Sequence, residues 1–154
     1  MIKKKENIAE YILFMWQAED FVRAFGESED VENNTFLHDL RSMMQQEGVM
    51  QKGHVQISLV ALSEMEQLHS ELYQSDASYR AAWLALLPAM TIFKSKTDEP
   101  AMSDIMACLT FLYDIMLLKL KKQDISTDTA AVQKQVTALM RYISTAFKQE
   151  KNDD

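Results

Sequence analysis

The chain is poor in glycine, proline and cysteine, and each shortage closes off a class of structure. Its 154 residues include three glycines, two prolines and one cysteine. Average usage of about 7% would give roughly eleven glycines. So little turn material rules out a fold of many short strands and points to helix, with the few glycines marking places of special backbone. A lone cysteine, Cys108, forms no intrachain disulfide and no Cys-rich metal site. No apolar run approaches the ~20 residues needed to cross a bilayer. Positive charge is also short: 16 Lys and Arg against 23 Asp and Glu, a net −7. Such a surface repels phosphate backbones and anionic lipid, so neither nucleic acid nor membrane is expected as a partner. The clusters Lys3-Lys4-Lys5 and Lys119, Lys121, Lys122 read as a solvated terminus and a dipole-complementing helix end.

What is present suits one domain. A chain of 17.8 kDa should bury about 70% of its unfolded surface, enough for its own core. The opening superficially resembles a signal peptide, but Glu6, Asn7 and Glu10 interrupt the apolar stretch and Glu19 and Asp20 follow it. A cytoplasmic protein is expected, in which the Asn33-Asn34-Thr35 sequon has no meaning.

Apolar residues recur at helical spacing throughout. A first helix is expected from about Glu6 to Phe25, ending at Gly26, with Ile8, Tyr11, Ile12, Met15, Val22 and Phe25 on one face. Phe14 and Phe21 widen that face so far that the helix must be central to a bundle or lie in a subunit interface. An acidic loop, 27–34, leads to a second helix from Thr35 to Glu47, stopped by Gly48. A third spans about Val55 to Gln74 and a fourth about Ala77 to Lys94, kinked by the internal Pro88. A fifth runs from Ala101 to Lys122, with Pro100 beside its first turn. A sixth, about Asp128 to Gln149, is capped by Ser126 or Thr127. The fold class is therefore all-α: a single-domain antiparallel bundle of five to six helices, with residues 1–5 and 150–154 as frayed termini.

Candidate chemistry is sparse. Glu66-Gln67-Leu68-His69 matches the Glu-x-x-His of di-iron bundles, but the other carboxylates and the second motif such a centre needs are missing. The bland reading pairs Glu66 and His69 with each other or with Tyr73. Glu19 is more unusual, because it projects between Ile8 and Ile12, where a carboxylate must be paired. Arg23, one turn on, is one partner; a donor from the Lys52–His54 turn is another. The first reading makes Glu19 a structural ion pair. The second makes it part of a site, since perturbed groups cluster there. Met43, Met44 and Met50 gather near the segment bracketed by Gly48 and Gly53, as a docking patch would. That turn could also offer backbone N–H groups to an anion at the next helix start. Both glycines are expected at positive φ or in close backbone contact. His38, His54 and His69 form no triad on spacing alone. Cys108 reads as a buried, inert thiol.

Two stretches carry a resemblance. Asn7 to Asp20, closing on Trp16-Gln17-Ala18-Glu19-Asp20, and Glu47 to Ile57, opening on Glu47-Gly48-Val49-Met50-Gln51-Lys52-Gly53-His54, are similar to a bacterial domain-of-unknown-function family (DUF4924-like). The resemblance spans the chain, which looks shorter than the family between Gly26 and Phe36. It implies a helical, cytoplasmic protein and brings no activity, cofactor or catalytic residue. The expected function is a homodimeric binding or assembly module, with the first or fifth helix in the interface and an unknown protein or small molecule as ligand. The alternative is a ligand-binding or enzymatic bundle. The candidate ligand-binding residues are Trp16, Glu19, Asp20, Arg23, Met50, Lys52, Gly53 and His54. No catalytic residue, metal or cofactor is assigned.

Overall fold

The computed structural model describes residues 2–153, and among them every regular element is helical. In chain order these are α1 (Ile8–Phe25), α2 (Glu29–Glu32), α3 (Thr35–Glu47), α4 (Gln56–Ser75), α5 (Ala77–Ser95), α6 (Asp104–Leu120) and α7 (Thr127–Asp153). Seven helices replace the expected five to six. The addition is α2, a single turn within the acidic stretch, too short to show a periodicity. It is held down by Val31, which is fully buried, and by Glu32, whose carboxylate meets Arg41 of α3 at 2.6 Å.

Side-chain caps set most helix starts. Asn7, Asn34, Asp76 and Ser103 each accept a backbone N–H three residues on, at 3.0–3.1 Å. Each such cap is worth about 1 kcal/mol. Ser103 explains why α6 starts three residues later than Pro100 implied. Pro88 does lie inside α5; its ring removes the N–H that Leu84's carbonyl would otherwise accept. The cap at Gly26 also differs from expectation. Its φ of −59° is right-handed, and a Cβ there would sit 2.7 Å from the Val22 carbonyl oxygen. Gly26 is thus a close-approach glycine rather than a left-handed one. α7 runs on through 150–153, where a loose end was expected; Met1 and Asp154 lie outside the described residues.

α1 stands between two apolar clusters. Ile8, Ile12 and Trp16 join Met65 of α4, Trp83 and Leu86 of α5, Ile105 and Leu109 of α6, and Ile143 and Phe147 of α7. On its other side Met15 and Val22 join Leu40 and Met44 of α3 and Val55. α1 touches α2, α3, α4, α6 and α7. Most of its wide apolar arc is therefore covered within the chain, at about 1.5–3 kcal/mol for each large side chain removed from water, but Phe25, expected on that face, is 53% exposed at its end. Phe14, for example, packs on Phe36 with ring centroids 5.5 Å apart. The methionine patch is likewise internal: Met44 is fully buried, and Met43 and Met50 are half-buried against this second cluster. None of the helices among the described residues is long and apolar enough to cross a membrane.

Candidate functional site

The line between the two clusters is where α1 places its charges. Trp16, Glu19, Asp20 and Arg23 fall at i, i+3, i+4 and i+7, one stripe of the helix. The turn between α3 and α4 lies across that stripe. Gly48 ends α3 at φ +72°, with the Val49 N–H returning to the Met44 carbonyl at 3.0 Å, a Schellman closure. Gly53 turns the chain again at φ +96°. Both glycines thus hold the left-handed backbone expected of them. Arg23 fixes the loop between them: its guanidinium donates to the Val49 carbonyl at 3.0 Å and to the Gly53 carbonyl at 2.5 Å. Its other amino group meets Asp20 at 3.0 Å, and its Nε is buried without a partner among the described residues.

Glu19 is fully buried and is met from the turn, not by Arg23. Its Oε2 accepts the Val55 N–H at 2.8 Å, and its Oε1 lies 2.7 Å from His54 Nδ1. Glu47 Oε1 accepts the Gln56 N–H at 2.6 Å. Two carboxylates from other helices thus cap α4, whose own N-cap, Val55, has no side chain able to do so. The anion foreseen at this helix start is supplied by the protein itself, with the sign the helix dipole favours. A carboxylate offers only acceptors, so a hydrogen of His54 sits on Nδ1, and in the neutral imidazole Nε2 is then the acceptor. Nε2 makes no hydrogen bond among the described residues, and it is not a buried orphan.

Aromatic rings complete the wall. The His54 ring stacks on Trp16, centroids 4.7 Å apart and 17° between planes, and Tyr113 of α6 meets Trp16 edge-on at 5.9 Å. The Tyr113 hydroxyl donates to Asp20 Oδ2 at 2.5 Å. Burial first, and then the Asp20 carboxylate that the hydroxyl bonds, push this phenol above its ordinary range. Trp16, Asp20, His54 and Tyr113 form one side of an open groove of about 290 Å³. Thr97, Asp98, Glu99 and Met102, from the connection before α6, and Met106 and Thr110 on α6 form the rest.

The structure therefore brings together Trp16, Glu19, Asp20, Arg23, Gly53 and His54. It does not bring in Lys52, which is exposed on the turn, or Met50, which packs into the second cluster. Tyr113 was missing from the candidate set because it sits on the α6 apolar stripe; the signal was that a buried phenol needs a polar partner. Asp98 and Glu99 carry no pattern in the sequence. Glu66 and His69 do not pair with each other or with Tyr73. Glu66 accepts from Ser103 Oγ at 3.0 Å, and His69 Nδ1 lies 2.6 Å from the Tyr79 hydroxyl. Among the described residues no group of three or more His, Cys, Asp or Glu is placed to hold a metal ion.

Two segments of the chain, 1–35 and 26–154, match the family described as a domain of unknown function (DUF4924), and together they cover every residue. The chain belongs to that family. The two matches overlap across 26–35, the stretch holding α2. The chain matches no curated protein and no solved structure.

Proposed function

We propose that this protein is a cytoplasmic, single-domain antiparallel helical bundle that binds a small organic cation in the groove fronted by His54. One observation carries the reading: Glu19 and Trp16 fix the imidazole of His54 at the groove wall, and its Nε2, an acceptor in the neutral ring, has no hydrogen-bond partner among the described residues. Orienting a histidine through a buried carboxylate uses more structure than capping α4 requires. The lining selects the charge. Asp20, Asp98 and Glu99 line the groove and no lysine or arginine does. Met102, Met106 and the Tyr113 ring give the body of a ligand an apolar and aromatic surface, which favours an ammonium with a short hydrocarbon part.

The same oriented imidazole has the form of a general base, with the carboxylate behind Nδ1 and a proton-accepting Nε2 in front. An enzymatic role is the second reading, and a reaction that depends on pH through His54 would separate it from binding alone. The binding reading is tested by screening short alkylamines, diamines and matched neutral alcohols by ¹H–¹⁵N NMR. Amines are expected to shift the Trp16 indole and the His54 ring first, and His54→Gln is expected to abolish the shifts. Hits that map elsewhere, or that survive His54→Gln, overturn the proposal.

A further inference from the structure

The outer face of α5 carries no charge along its whole length. Its exposed residues are Ala77, Ser78, Ala81, Ala82, Leu84, Ala85, Pro88, Thr91, Ile92 and Ser95. Leu84 is 48% exposed and Ile92 58%. The two cations of the helix are both turned into the chain. Arg80 donates to the Tyr73 carbonyl at 2.7 Å, and Lys94 meets Asp104 of α6 at 2.6 Å. In a protein of net −7, an uncharged face is one on which two copies could approach without bringing like charges together.

The face is also complementary to itself. Leu84, Pro88 and Ile92 form one i, i+4, i+8 ridge. Beside it Ala77, Ala81, Ala85 and the half-buried Ala89 form a parallel row of small side chains, a groove. About a two-fold axis the ridge of one copy falls into the groove of the other, the i±4n packing that crosses helices near −50°. Area points the same way. A monomer of 17.8 kDa is expected to expose about 8,000 Å². The chain exposes 9302 Å², so about 1,300 Å² more is in water than its mass calls for. The face is a strip ~28 Å long, and two such strips would bury on the order of 1,000 Å², the lower bound for a specific interface.

We infer that α5 is the self-association surface of this protein, joining two copies through the Leu84–Pro88–Ile92 ridge and the Ala81–Ala85 groove. The test is light scattering and sedimentation on the full chain across the micromolar range. Wild type is expected to have twice the chain mass. Ala85→Glu and Leu84→Glu are expected to weaken the dimer by about 100-fold or more through repulsion across the two-fold, with helical circular dichroism unchanged. Leu120→Glu, on the exposed end of α6, is expected to leave it intact. Ala85→Cys supplies a second measurement in which no charge is introduced: with Cys108 buried, mild oxidation is expected to cross-link the dimer through residue 85. A wild type that is monomeric at high micromolar concentration overturns the inference. So does a dimer that survives both glutamates, or one that is lost with Leu120→Glu alone.

Discussion

Replacing Glu19 separates its structural role from its effect on the groove. Glu19→Ala leaves the Val55 N–H and His54 Nδ1 without their acceptor. Leaving a buried donor without its acceptor costs about 1–3 kcal/mol, and with His54 partly in water the two together come to about 3 kcal/mol. A domain of ordinary stability, about 5–15 kcal/mol, survives that loss. Glu19→Gln is the informative change. The Val55 N–H is an obligatory donor, so the amide oxygen must turn toward it and the NH2 toward His54. Nδ1 then has to accept, and the ring hydrogen moves to Nε2. The stability cost falls to about 1–2 kcal/mol, but the groove atom changes from acceptor to donor. Urea unfolding followed by circular dichroism measures the first effect, and long-range ¹H–¹⁵N correlation of the His54 ring measures the second. An ammonium ligand should then be lost from Glu19→Gln although no groove-lining atom has been removed. If Nε2 stays unprotonated in Glu19→Gln, or Glu19→Ala costs less than about 1 kcal/mol, the account of this pair is wrong.

Five further outcomes are expected. Gly53→Ala should destabilise by about 2 kcal/mol, because φ is +96° and the new Cβ would lie 3.3 Å from Val49 Cγ1. Gly48→Ala, with open space around it, should cost only its left-handed φ, about 1 kcal/mol in the same urea titration. Lys122, at φ +58°, closes α6 as Gly48 closes α3, so Lys122→Gly should raise stability by about 1 kcal/mol. Burial lowers the pKa of His69 below 6.5, against a smaller opposing pull from Asp104. The unfolded chain therefore takes up this proton first, and stability should be full above about pH 6.5 and fall as the pH drops below it; unfolding midpoints of His69→Gln should lose that part of the pH dependence. Burial raises the Cys108 thiol to about 12, so a disulfide reagent at pH 8 should label it only on unfolding.

Helical periodicity carried most of the architecture, because a stripe such as Val136, Leu139, Ile143 and Phe147 has one way to be buried. It placed α3 from Thr35 to Glu47, where an asparagine cap and a left-handed glycine bound the pattern. It missed α2, whose only buried residue is Val31, and it began α6 early because Pro100 lies close upstream of the Ser103 cap. The apolar breadth of α1 was legible, but what covers it was not. A second copy and the two clusters of one chain make the same demand on a helix face, and periodicity does not distinguish them. The exposed ridge of α5 has the opposite problem. Periodicity puts Trp83, Leu86 and Met90 on its inward side, but it does not say whether Leu84, Pro88 and Ile92 stay in water.

The site divides along similar lines. Glu19 and the Gly48–Gly53 turn stand out in the sequence because each breaks a local rule: a charge in an apolar stripe, and glycines in a chain with almost none. Their meeting follows from Val55, the α4 N-cap, which brings no acceptor of its own. Lys52 shared every sequence feature that brought attention to His54, yet the turn leaves it in solvent, since loop geometry rather than residue type decides which side chain faces the bundle. Stability accounts for Glu19, Glu47 and Arg23, because each pairs backbone groups of the turn and the α4 start, and the Val55 N–H that Glu19 takes is buried. For His54 it accounts for Nδ1, which meets the buried Oε1 of Glu19, but not for Nε2. A backbone turn needs the Val55 N–H bound, but it does not require that the side chain meeting Glu19 be an imidazole stacked on Trp16 at the wall of a groove. That surplus of order is what the ligand proposal explains. It also makes His54→Gln the variant in which binding should change most for the least change in stability.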